Sequence, residues 1–509
     1  MTDRHYLLKV MGLSTIPKLI TFGLTMVSFP LMVRALGASQ YGVTVFIGAI
    51  AAVVESFADF GVSSAAGKEI AAVRQAGATS LSAVVLSWAR LQATVALTAF
   101  WPLLAITYVI AIVSSDIAFS LEVFVILVAA TWLTIALNFI RAALTSMLAF
   151  RSLTVFDACE SILRSASWLV VAYFVPTTLG LASAGLVTTC CAMVVGTVLL
   201  WRLVRRDHHA ISKVPSDPRL HRRWMLKESL NFLWLRLATR VFQSIPIIAF
   251  GKLLGSEVVG IIGAFARIVE SVNFPFAVVG NALAVRAVGV LASGAAATRR
   301  LWDVVSRLIA LAVLLAATSY LAANLLAKFL LPGSPGAPIA FALLSITVIT
   351  SVISSMIAPM SDYVGALRSR NILLSVCSLA QFPAILIGWK VQGQTGAVAA
   401  YVLVITVMNL GYVKIAVTGF FPAGRYELRS EMKYFLIATT VALAFSMLVH
   451  HVAKVSHLKS PLLLNGLVVD IAVFWLSVLA ASLLYRPAKR FFFNRGFLDF
   501  QGQPVDTPV

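Results

Sequence analysis

The chain has 509 residues, of which 60% are hydrophobic and only 12% are charged. This composition, with a mean hydropathy of +0.94, excludes a water-soluble enzyme, because no soluble core needs so much apolar surface. The net charge of +20 would indicate nucleic acid in a soluble protein, whereas in a membrane protein it is typical of basic cytoplasmic loops.

Hydrophobic segments long enough to cross a bilayer follow one another along the chain, separated by charged residues or by proline and glycine. A spanning helix needs about 20 apolar residues, and only helices and closed barrels satisfy the backbone in lipid. The alternation typical of barrel strands is absent from the sequence, which therefore predicts an all-α integral membrane protein with about 14 transmembrane helices. The predicted spans are 11–34, 41–66, 86–112, 119–142, 160–178, 181–203, 229–252, 257–285, 304–330, 338–362, 371–391, 395–419, 433–453 and 462–485.

Lysine and arginine are distributed unevenly between the two sides of the predicted membrane. With the N-terminus inside, 30 of the 40 lie in cytoplasmic segments, 6 lie outside and 4 lie within spans. Arg164 is counted here with the cytoplasmic residues. The excess of positive charge inside predicts that both termini are cytoplasmic, and it explains most of the net charge without nucleic acid.

A shift of 218 residues aligns the first two spans with the seventh and eighth. Two six-helix bundles related by a parallel repeat are typical of transporters that bind their substrate between the halves. The matching positions are Leu36–Gly37 with Leu254–Gly255, Gly42 with Gly260, Lys9 with Lys227, and Lys18 with Arg236. The predicted organisation is an N-terminal six-helix bundle (1–203), a basic cytoplasmic linker (204–228), a C-terminal six-helix bundle (229–420), two additional transmembrane helices (421–486) and a cytoplasmic tail (487–509).

Charged residues inside the predicted spans are the candidate site. A charge at the centre of a bilayer costs several kcal/mol, so it usually faces a cavity or a partner. Seven of the eight such residues lie in the spans that open the two halves, and the eighth, Asp470, lies in the additional helices. The seven are Lys18, Glu55, Asp59, Arg236, Arg240, Arg267 and Glu270.

Three short stretches near the N-terminus resemble the opening of the Wzx-type oligosaccharide flippases: Leu36–Gly42, Asp59–Val62 and Lys68–Ala71. These flippases form the polysaccharide transport branch of the MOP superfamily, which also contains the MATE multidrug exporters and the lipid II flippases. The resemblance continues through residues 229–290 and covers essentially the whole chain. Its motifs mark the fold better than the substrate.

The resemblance implies a membrane transporter rather than an enzyme. By this resemblance the protein translocates an undecaprenyl-pyrophosphate-linked oligosaccharide from the cytoplasmic to the outer leaflet of the bacterial inner membrane. The product would serve O-antigen, capsule or exopolysaccharide biosynthesis. The partners it implies are the polyprenyl-pyrophosphate oligosaccharide, membrane lipid and a polysaccharide polymerase, with no nucleic acid.

The seven charged residues receive two roles in this hypothesis. Lys18, Arg236, Arg240 and Arg267 are predicted to bind the pyrophosphate in a central cationic cavity, since an arginine fork binds phosphate oxygens in pairs. Glu55, Asp59 and Glu270 are predicted either to couple transport to an ion or to form internal salt bridges. Transport would follow alternating access of the two halves around this cavity.

Cofactors and alternative substrates complete the prediction. No metal or organic cofactor is predicted, coupling to H⁺ or Na⁺ stays open, and the sequence contains no phosphate-binding loop for ATP hydrolysis. A lipid II flippase and an ion-coupled multidrug exporter on the same fold are the alternatives. A multidrug exporter predicts a cavity dominated by acids, whereas these spans hold four cations and three acids.

Overall fold

A computed structural model describes residues 3–75, 81–114, 117–147, 149–206, 218–292, parts of 315–355, and 367–420. The predicted additional helices, Asp470 and the cytoplasmic tail lie outside these described residues. Every regular element among the described residues is an α-helix. In chain order the helices are α1 (Asp3–Asp59), α2 (Val62–Gln75), α3 (Leu81–Ser114), α4 (Leu121–Ser146), α5 (Phe150–Phe174), α6 (Thr178–Arg206), α7 (Pro218–Ala292), α8 (Ala323–Leu330), α9 (Ala337–Leu344) and α10 (Leu367–Phe420).

The longest helices are not straight rods. Helix α1 contains a non-helical residue at Gly37, and the rings of Phe29 and Tyr41 on either side of it lie 5.8 Å apart. Twelve residues of continuous helix would separate them by about 18 Å. Helix α1 therefore folds back at Gly37 into two arms, each long enough to cross a bilayer.

Helix α10 folds back in the same way at Gln392 and Gly393. Gly388 and Gly396 lie on opposite sides of this break, and a methyl group on either one would overlap the carbonyl oxygen of the other. The absence of a side chain at both positions is what lets the two arms of α10 pack so closely.

The break in α7 matches the break in α1. Gly37 has φ 78° and ψ 165°, and Gly255, 218 residues later, has φ 82° and ψ −176°. This left-handed, extended conformation is accessible to glycine at little cost and is strained for other residues. The two glycines thus have the same conformational role at the positions that the 218-residue shift aligns.

The arms that follow these two breaks pack against each other reciprocally. A methyl group on Gly42 would overlap the carbonyl oxygen of Ser256, and one on Gly260 would overlap that of Ala38. Ala38 and Ser256 are themselves 218 residues apart, so the contact has approximate two-fold symmetry. We call this region, which also includes a hydrogen bond between the hydroxyls of Ser39 and Ser256 (2.9 Å), the glycine crossing.

The packing between α1 and α7 is the most extensive interface between described helices. Its core contains fully buried aromatic and aliphatic side chains, among them Phe46, Ile47, Phe250 and Phe265. Burial of this apolar surface and close packing around the glycine crossing hold the two repeats together at this end.

The described residues hold six helices that are long and apolar enough to cross a membrane. Many of their large apolar side chains point outward, for example Trp101, Val113 and Phe174, which are 71%, 70% and 78% exposed. Patches of this size are unfavourable in water and are expected against lipid. The chain is therefore a multi-pass membrane protein, as its composition predicts.

Two predicted boundaries differ from the observed helices. The second span, predicted over 41–66, ends at Asp59, because Phe60 and Gly61 both adopt positive φ and the separate helix α2 follows. The fifth span, predicted to begin at residue 160, belongs to a helix that already begins at Phe150. Arg164, counted with the cytoplasmic residues, therefore lies 14 residues inside α5, about 21 Å from its start.

Candidate functional site

Arg236 on α7 forms an ion cluster with the end of α1. Its Nη1 donates to Asp59 Oδ2 at 2.5 Å and its Nη2 donates to Glu55 Oε1 at 3.2 Å. The exposed fractions of the three side chains are 17% for Arg236, 4% for Glu55 and 0% for Asp59. We call Arg236, Glu55 and Asp59 the buried ion cluster; it joins one repeat to the other.

Neutral side chains add hydrogen bonds to the two carboxylates. Asn138 on α4 donates to Glu55 at 3.0 Å, while Gln92 on α3 and Ser63 on α2 donate to Asp59 at 3.2 and 2.5 Å. Buried carboxylates are tolerated when their lone pairs are satisfied in this way. Four helices of the first repeat and one of the second therefore converge on this cluster.

The buried ion cluster holds two carboxylates and one guanidinium, so its formal charge is −1. Arg236 was predicted as one of the cations of a pyrophosphate site. In the structure its guanidinium group already donates to Asp59 and Glu55, two acids of the same predicted set. A buried cation with two anionic partners attracts a further anion weakly, because the partner charges oppose it.

A second set of charged residues connects α4 and α5. Arg141 on α4 donates to Asp157 at 3.1 Å and to Glu160 at 2.6 Å. Glu160, on α5, also accepts a hydrogen bond from Arg164. Glu160 is only 11% exposed, whereas Arg141 and Arg164 are 40% and 45% exposed.

The second set continues on the far arm of α7. Arg267 donates to Glu270 at 2.7 Å, and these side chains are 47% and 68% exposed. Arg267 lies within electrostatic range of Tyr41 on α1, and both Arg267 and Glu270 lie within electrostatic range of Arg164 on α5. We call the whole set the open ion cluster: Arg141, Asp157, Glu160, Arg164, Arg267 and Glu270.

The two remaining predicted cations, Arg240 and Lys18, form no salt bridge among the described side chains. Arg240, one turn after Arg236, makes only a long 3.5 Å contact with Gln243 and interacts electrostatically with Glu55. The backbone of Lys18 lies in the first arm of α1, but its side chain lies outside what the structure describes. Among the described side chains, Arg236, Glu55 and Asp59 form one cluster and Arg267 and Glu270 belong to another. A common pyrophosphate site of Lys18, Arg236, Arg240 and Arg267 stays a prediction.

A small cavity lies beside Glu55 within the first repeat. Its volume is about 20 Å³, and Thr107, Thr131 and Trp132 line it with Glu55. This is room for a single water molecule with polar partners. Glu55 is thus the one member of the buried ion cluster that borders both Arg236 and an internal space.

The sequence analysis missed the α4 and α5 members of the open ion cluster because it took them as charges at the cytoplasmic ends of their spans, and because it placed the start of α5 too late to include Asp157. A local signal was present: Asp157, Glu160 and Arg164 are spaced at three and four residues within apolar sequence. This spacing places them on one face of a helix. Assigning that face to the bundle interior would have predicted further intramembrane charges beside Arg267.

The open ion cluster can do chemistry that the buried one cannot. Its guanidinium groups are half-exposed, and each has five N–H donors, of which only some are engaged. Such groups can exchange a protein carboxylate for a ligand anion without leaving a buried charge unpaired. The geometry therefore suits recognition of an anionic group between helices, as in a transporter.

Comparison with solved structures defines the fold. The fold is similar to that of "Lipid II flippase MurJ, inward closed conformation" (TM-score 0.67, 12% identity, 94% of this chain and 100% of that chain). It is also similar to an inward-facing MATE multidrug resistance transporter of the MOP superfamily (TM-score 0.59, 15% identity, 79% of this chain and 96% of that chain). A MOP superfamily transporter from Pyrococcus furiosus is similar too (TM-score 0.56, 17% identity, 80% of this chain and 96% of that chain). At these identities the similarity establishes the fold, which is that of the MOP superfamily of membrane transporters.

The family follows from the sequence itself. The family described as polysaccharide biosynthesis protein matches residues 7–283, more than half of the chain, so the protein belongs to this family. The match supports the predicted resemblance to Wzx-type flippases, and the fold is similar to those of MOP superfamily transporters. No curated protein matches the chain by sequence comparison.

Proposed function

We propose that the protein flips an undecaprenyl-pyrophosphate-linked oligosaccharide from the cytoplasmic to the outer leaflet of the bacterial inner membrane. The observation that carries this proposal is the open ion cluster, in which half-exposed arginines lie on the apolar helices α4, α5 and α7. The family and its transporter relatives support movement of a lipid-linked substrate. The flipped product would supply a polysaccharide polymerase on the outer side.

The physical requirement of this reaction is a polar path for the headgroup. A diphosphate carries at least two negative charges, and its transfer into hydrocarbon without partners is prohibitively costly. The polyprenyl tail can stay in lipid while only the headgroup enters the protein. Arginine suits the path because its planar fork binds phosphate oxygens in pairs and remains charged at any physiological pH.

The two ion clusters receive different roles in this proposal. Arg267 and Arg240, together with Lys18, bind the pyrophosphate, and Glu270 is the counter-ion that the substrate replaces. Arg236 with Glu55 and Asp59 forms an internal salt bridge that holds the two repeats together at one end.

Transport proceeds by alternating access of two halves, 1–203 and 229–420, related by the 218-residue repeat. Both termini are cytoplasmic and about 14 helices span the membrane, the last two following the repeat. Glu55, which borders a cavity large enough for one water molecule, is the residue through which H⁺ or Na⁺ coupling would act. Protonation or ion binding there would weaken its hold on Arg236 and favour opening at that end.

A leaflet assay in proteoliposomes tests the function. The purified full chain is reconstituted with a labelled undecaprenyl-pyrophosphate oligosaccharide, and an external sugar-modifying enzyme reports the fraction in the outer leaflet. We expect protein-dependent loss of protection, and Arg267→Gln should reduce its rate at least about tenfold, since it removes charge-assisted bonds to the substrate.

The control is Arg151→Gln, which neutralises an exposed arginine at the start of α5 and should transport like the natural protein. Absence of movement of the oligosaccharide, together with movement of labelled lipid II, would replace the proposed substrate by lipid II. Absence of both, with extrusion of cationic dyes driven by a proton or Na⁺ gradient, would establish the multidrug alternative.

A further inference from the structure

Gln381 on α10 is a fully buried amide without a described partner. Its side chain is 0% exposed, and neither its Oε1 nor its Nε2 forms a hydrogen bond with any residue that the structure describes. The amide of the partly buried Asn138, by contrast, donates to Glu55 at 3.0 Å. An unpaired amide in a low-dielectric interior destabilises the conformation that contains it, because water would bind both of its groups.

Apolar side chains surround the position of Gln381. It lies on the buried face of the first arm of α10, between Cys377 and Ile385, which are 5% and 0% exposed. Cys377 belongs to an apolar cluster with Phe242 on the first arm of α7 and Ile405 on the second arm of α10. Gln381 therefore lies where α7 meets both arms of α10, among side chains that cannot hydrogen-bond its amide. We call this region, defined by Phe242, Cys377, Gln381 and Ile405, the α7–α10 seam.

The helical turn that carries Gln381 also lacks one hydrogen bond. Pro383 lies inside α10 and has no N–H, so the carbonyl oxygen of Leu379 lacks its usual helical donor. Sharp bends in helices occur mainly at such turns. Leu379 is 77% exposed, so the outer side of this turn is open while its inner side holds the unpaired amide. Two separate observations therefore mark the same turn as weakly held.

Helix α7 lies between this seam and the buried ion cluster. Ala238 and Phe242 pack in the apolar cluster of the seam. Arg236 bonds the two acids of α1 in the buried ion cluster. Because positions 236 and 238 are about 200° apart around a helix, the two contacts use opposite faces of α7. A movement of α7 away from α10 would therefore also move Arg236 relative to the first repeat.

We propose that the first arm of α10 bends at Pro383 during transport and opens the α7–α10 seam, so that water reaches Gln381. In the open form the amide gains the hydrogen bonds that it lacks in the described form, and this gain offsets the apolar contacts that are lost. The two forms are thereby brought close in free energy, as exchange between them requires. The inference rests on the proposed function, because the bend belongs to alternating access. It assigns Gln381 and Pro383 as positioning residues rather than substrate ligands.

Thiol labelling of the full chain in proteoliposomes tests whether water reaches the seam. Gln381→Cys and Ala192→Cys are each made in a background with the four native cysteines replaced by serine. Both positions are 0% exposed, but Ala192 packs inside the first repeat, away from α10. We expect a water-soluble maleimide to label the thiol at 381 at least about fivefold faster than the thiol at 192. Equal rates would overturn the proposal.

Gln381→Leu tests the seam from the opposite direction, because it replaces the unpaired amide by an apolar side chain of similar size. We expect its melting temperature in mixed micelles to rise by about 1–3 °C. Its flipping rate in the leaflet assay should fall at least about fivefold, because the described form is then favoured. Pro383→Ala restores a donor for the carbonyl of Leu379 and should change both quantities in the same direction.

Asn409→Leu is the matched control on the second arm of α10. Asn409 is 2% exposed and its Oδ1 also lacks a partner among the described residues, but this arm contains no proline between residues 395 and 420. The control should raise the melting temperature without slowing flipping. Equal slowing would assign the effect to stability alone and overturn the proposal, as would a lower melting temperature for Gln381→Leu.

Failure of the seam and failure of the proposed function give different results. If Gln381→Leu does not fold, Pro383→Ala decides: slowed flipping supports the bend, and an unchanged rate contradicts it. If the natural protein flips no oligosaccharide, the proposed function fails, while the labelling rates and the melting temperatures still test the seam.

Discussion

The buried and the open ion clusters contain the same types of side chain in different surroundings. In the buried cluster one arginine bonds two nearly inaccessible carboxylates, and three neutral side chains donate further hydrogen bonds to them. In the open cluster the arginines and Glu270 are 40% to 68% exposed, and only Glu160 is nearly buried. Both clusters contain residues from both repeats.

The difference indicates which charges can change partners. Removing one member of a buried pair leaves an uncompensated charge in a medium that solvates it poorly. At a half-exposed pair, water or a ligand can take the place of the lost partner. The buried ion cluster is therefore suited to fixing two helices, and the open ion cluster to binding an anion and releasing it.

The largest expected effect is on stability at the buried ion cluster. Arg236→Ala leaves Glu55 and Asp59 without their cation, and we expect the free energy of unfolding to fall by about 3–5 kcal/mol. Unfolding in mixed micelles measures this loss. The variant Arg236→Met combined with Glu55→Gln and Asp59→Asn has no charge left to pair, and it should recover most of the stability.

If Arg236→Ala unfolds like the natural protein, burial does not make the ion pairs of the buried cluster harder to break than those of the open cluster. Arg240→Ala is the neighbouring control, because Arg240 makes only a long contact with Gln243. Its expected loss of stability is below about 0.5 kcal/mol.

The glycine crossing gives the next largest effect, since it sets the distance between α1 and α7, the helices that carry the buried ion cluster and Arg267. Gly42→Ala places a methyl group on the carbonyl oxygen of Ser256, and we expect a loss of about 1–3 kcal/mol. Gly48 lies on the same arm of α1 with open space at its Cβ position, so Gly48→Ala should be neutral or stabilising by up to about 1 kcal/mol. Equal stabilities of the two variants would argue against the close packing.

A smaller effect of opposite sign is expected at Glu270. Glu270→Gln removes the carboxylate that competes with a ligand for Arg267, so pyrophosphate should bind about two- to fivefold more tightly, in keeping with the modest strength of half-exposed pairs. Calorimetry in nanodiscs measures the change. Weaker binding would mean that Glu270 helps to hold the ligand, and it would contradict the role of counter-ion.

The smallest effect is expected at an exposed ion pair that also joins the repeats. Lys68 on α2 lies 2.5 Å from Glu228 on α7, and its side chain is 64% exposed. Lys68→Ala should lower the free energy of unfolding by less than about 1 kcal/mol. A loss comparable to that of Arg236→Ala would show that burial is not what distinguishes the pairs.

The general fold could be predicted from the sequence because lipid leaves few alternatives. Long apolar segments must be helices, and the spacing of Gly37 and Gly255 predicted a shared feature that the structure shows as two equivalent breaks. The boundaries were less accurate. The start of α5 was placed ten residues too late because charged residues were taken as the end of a loop, although they have partners within the bundle.

The sequence could predict which charged residues of the candidate site lie inside the membrane, but not which of them form ion pairs. Sequence identified Glu55, Asp59 and Arg236 as intramembrane charges, and their spacing placed the first two on one face of a helix. Which cation those acids contact depends on how α1 packs against α7, and that is set by long-range burial rather than by spacing. The prediction of internal salt bridges therefore could not name the cation, which the structure shows to be Arg236.

The most direct test of the account asks whether the two repeats must separate at the glycine crossing during transport. The hydroxyl oxygens of Ser39 and Ser256 lie 2.9 Å apart, so Ser39→Cys with Ser256→Cys, in a background with the four native cysteines replaced by serine, should form a disulfide. In the leaflet assay the oxidised protein should not flip the labelled oligosaccharide, and a reductant should restore flipping. Flipping at the full rate by fully cross-linked protein would contradict alternating access.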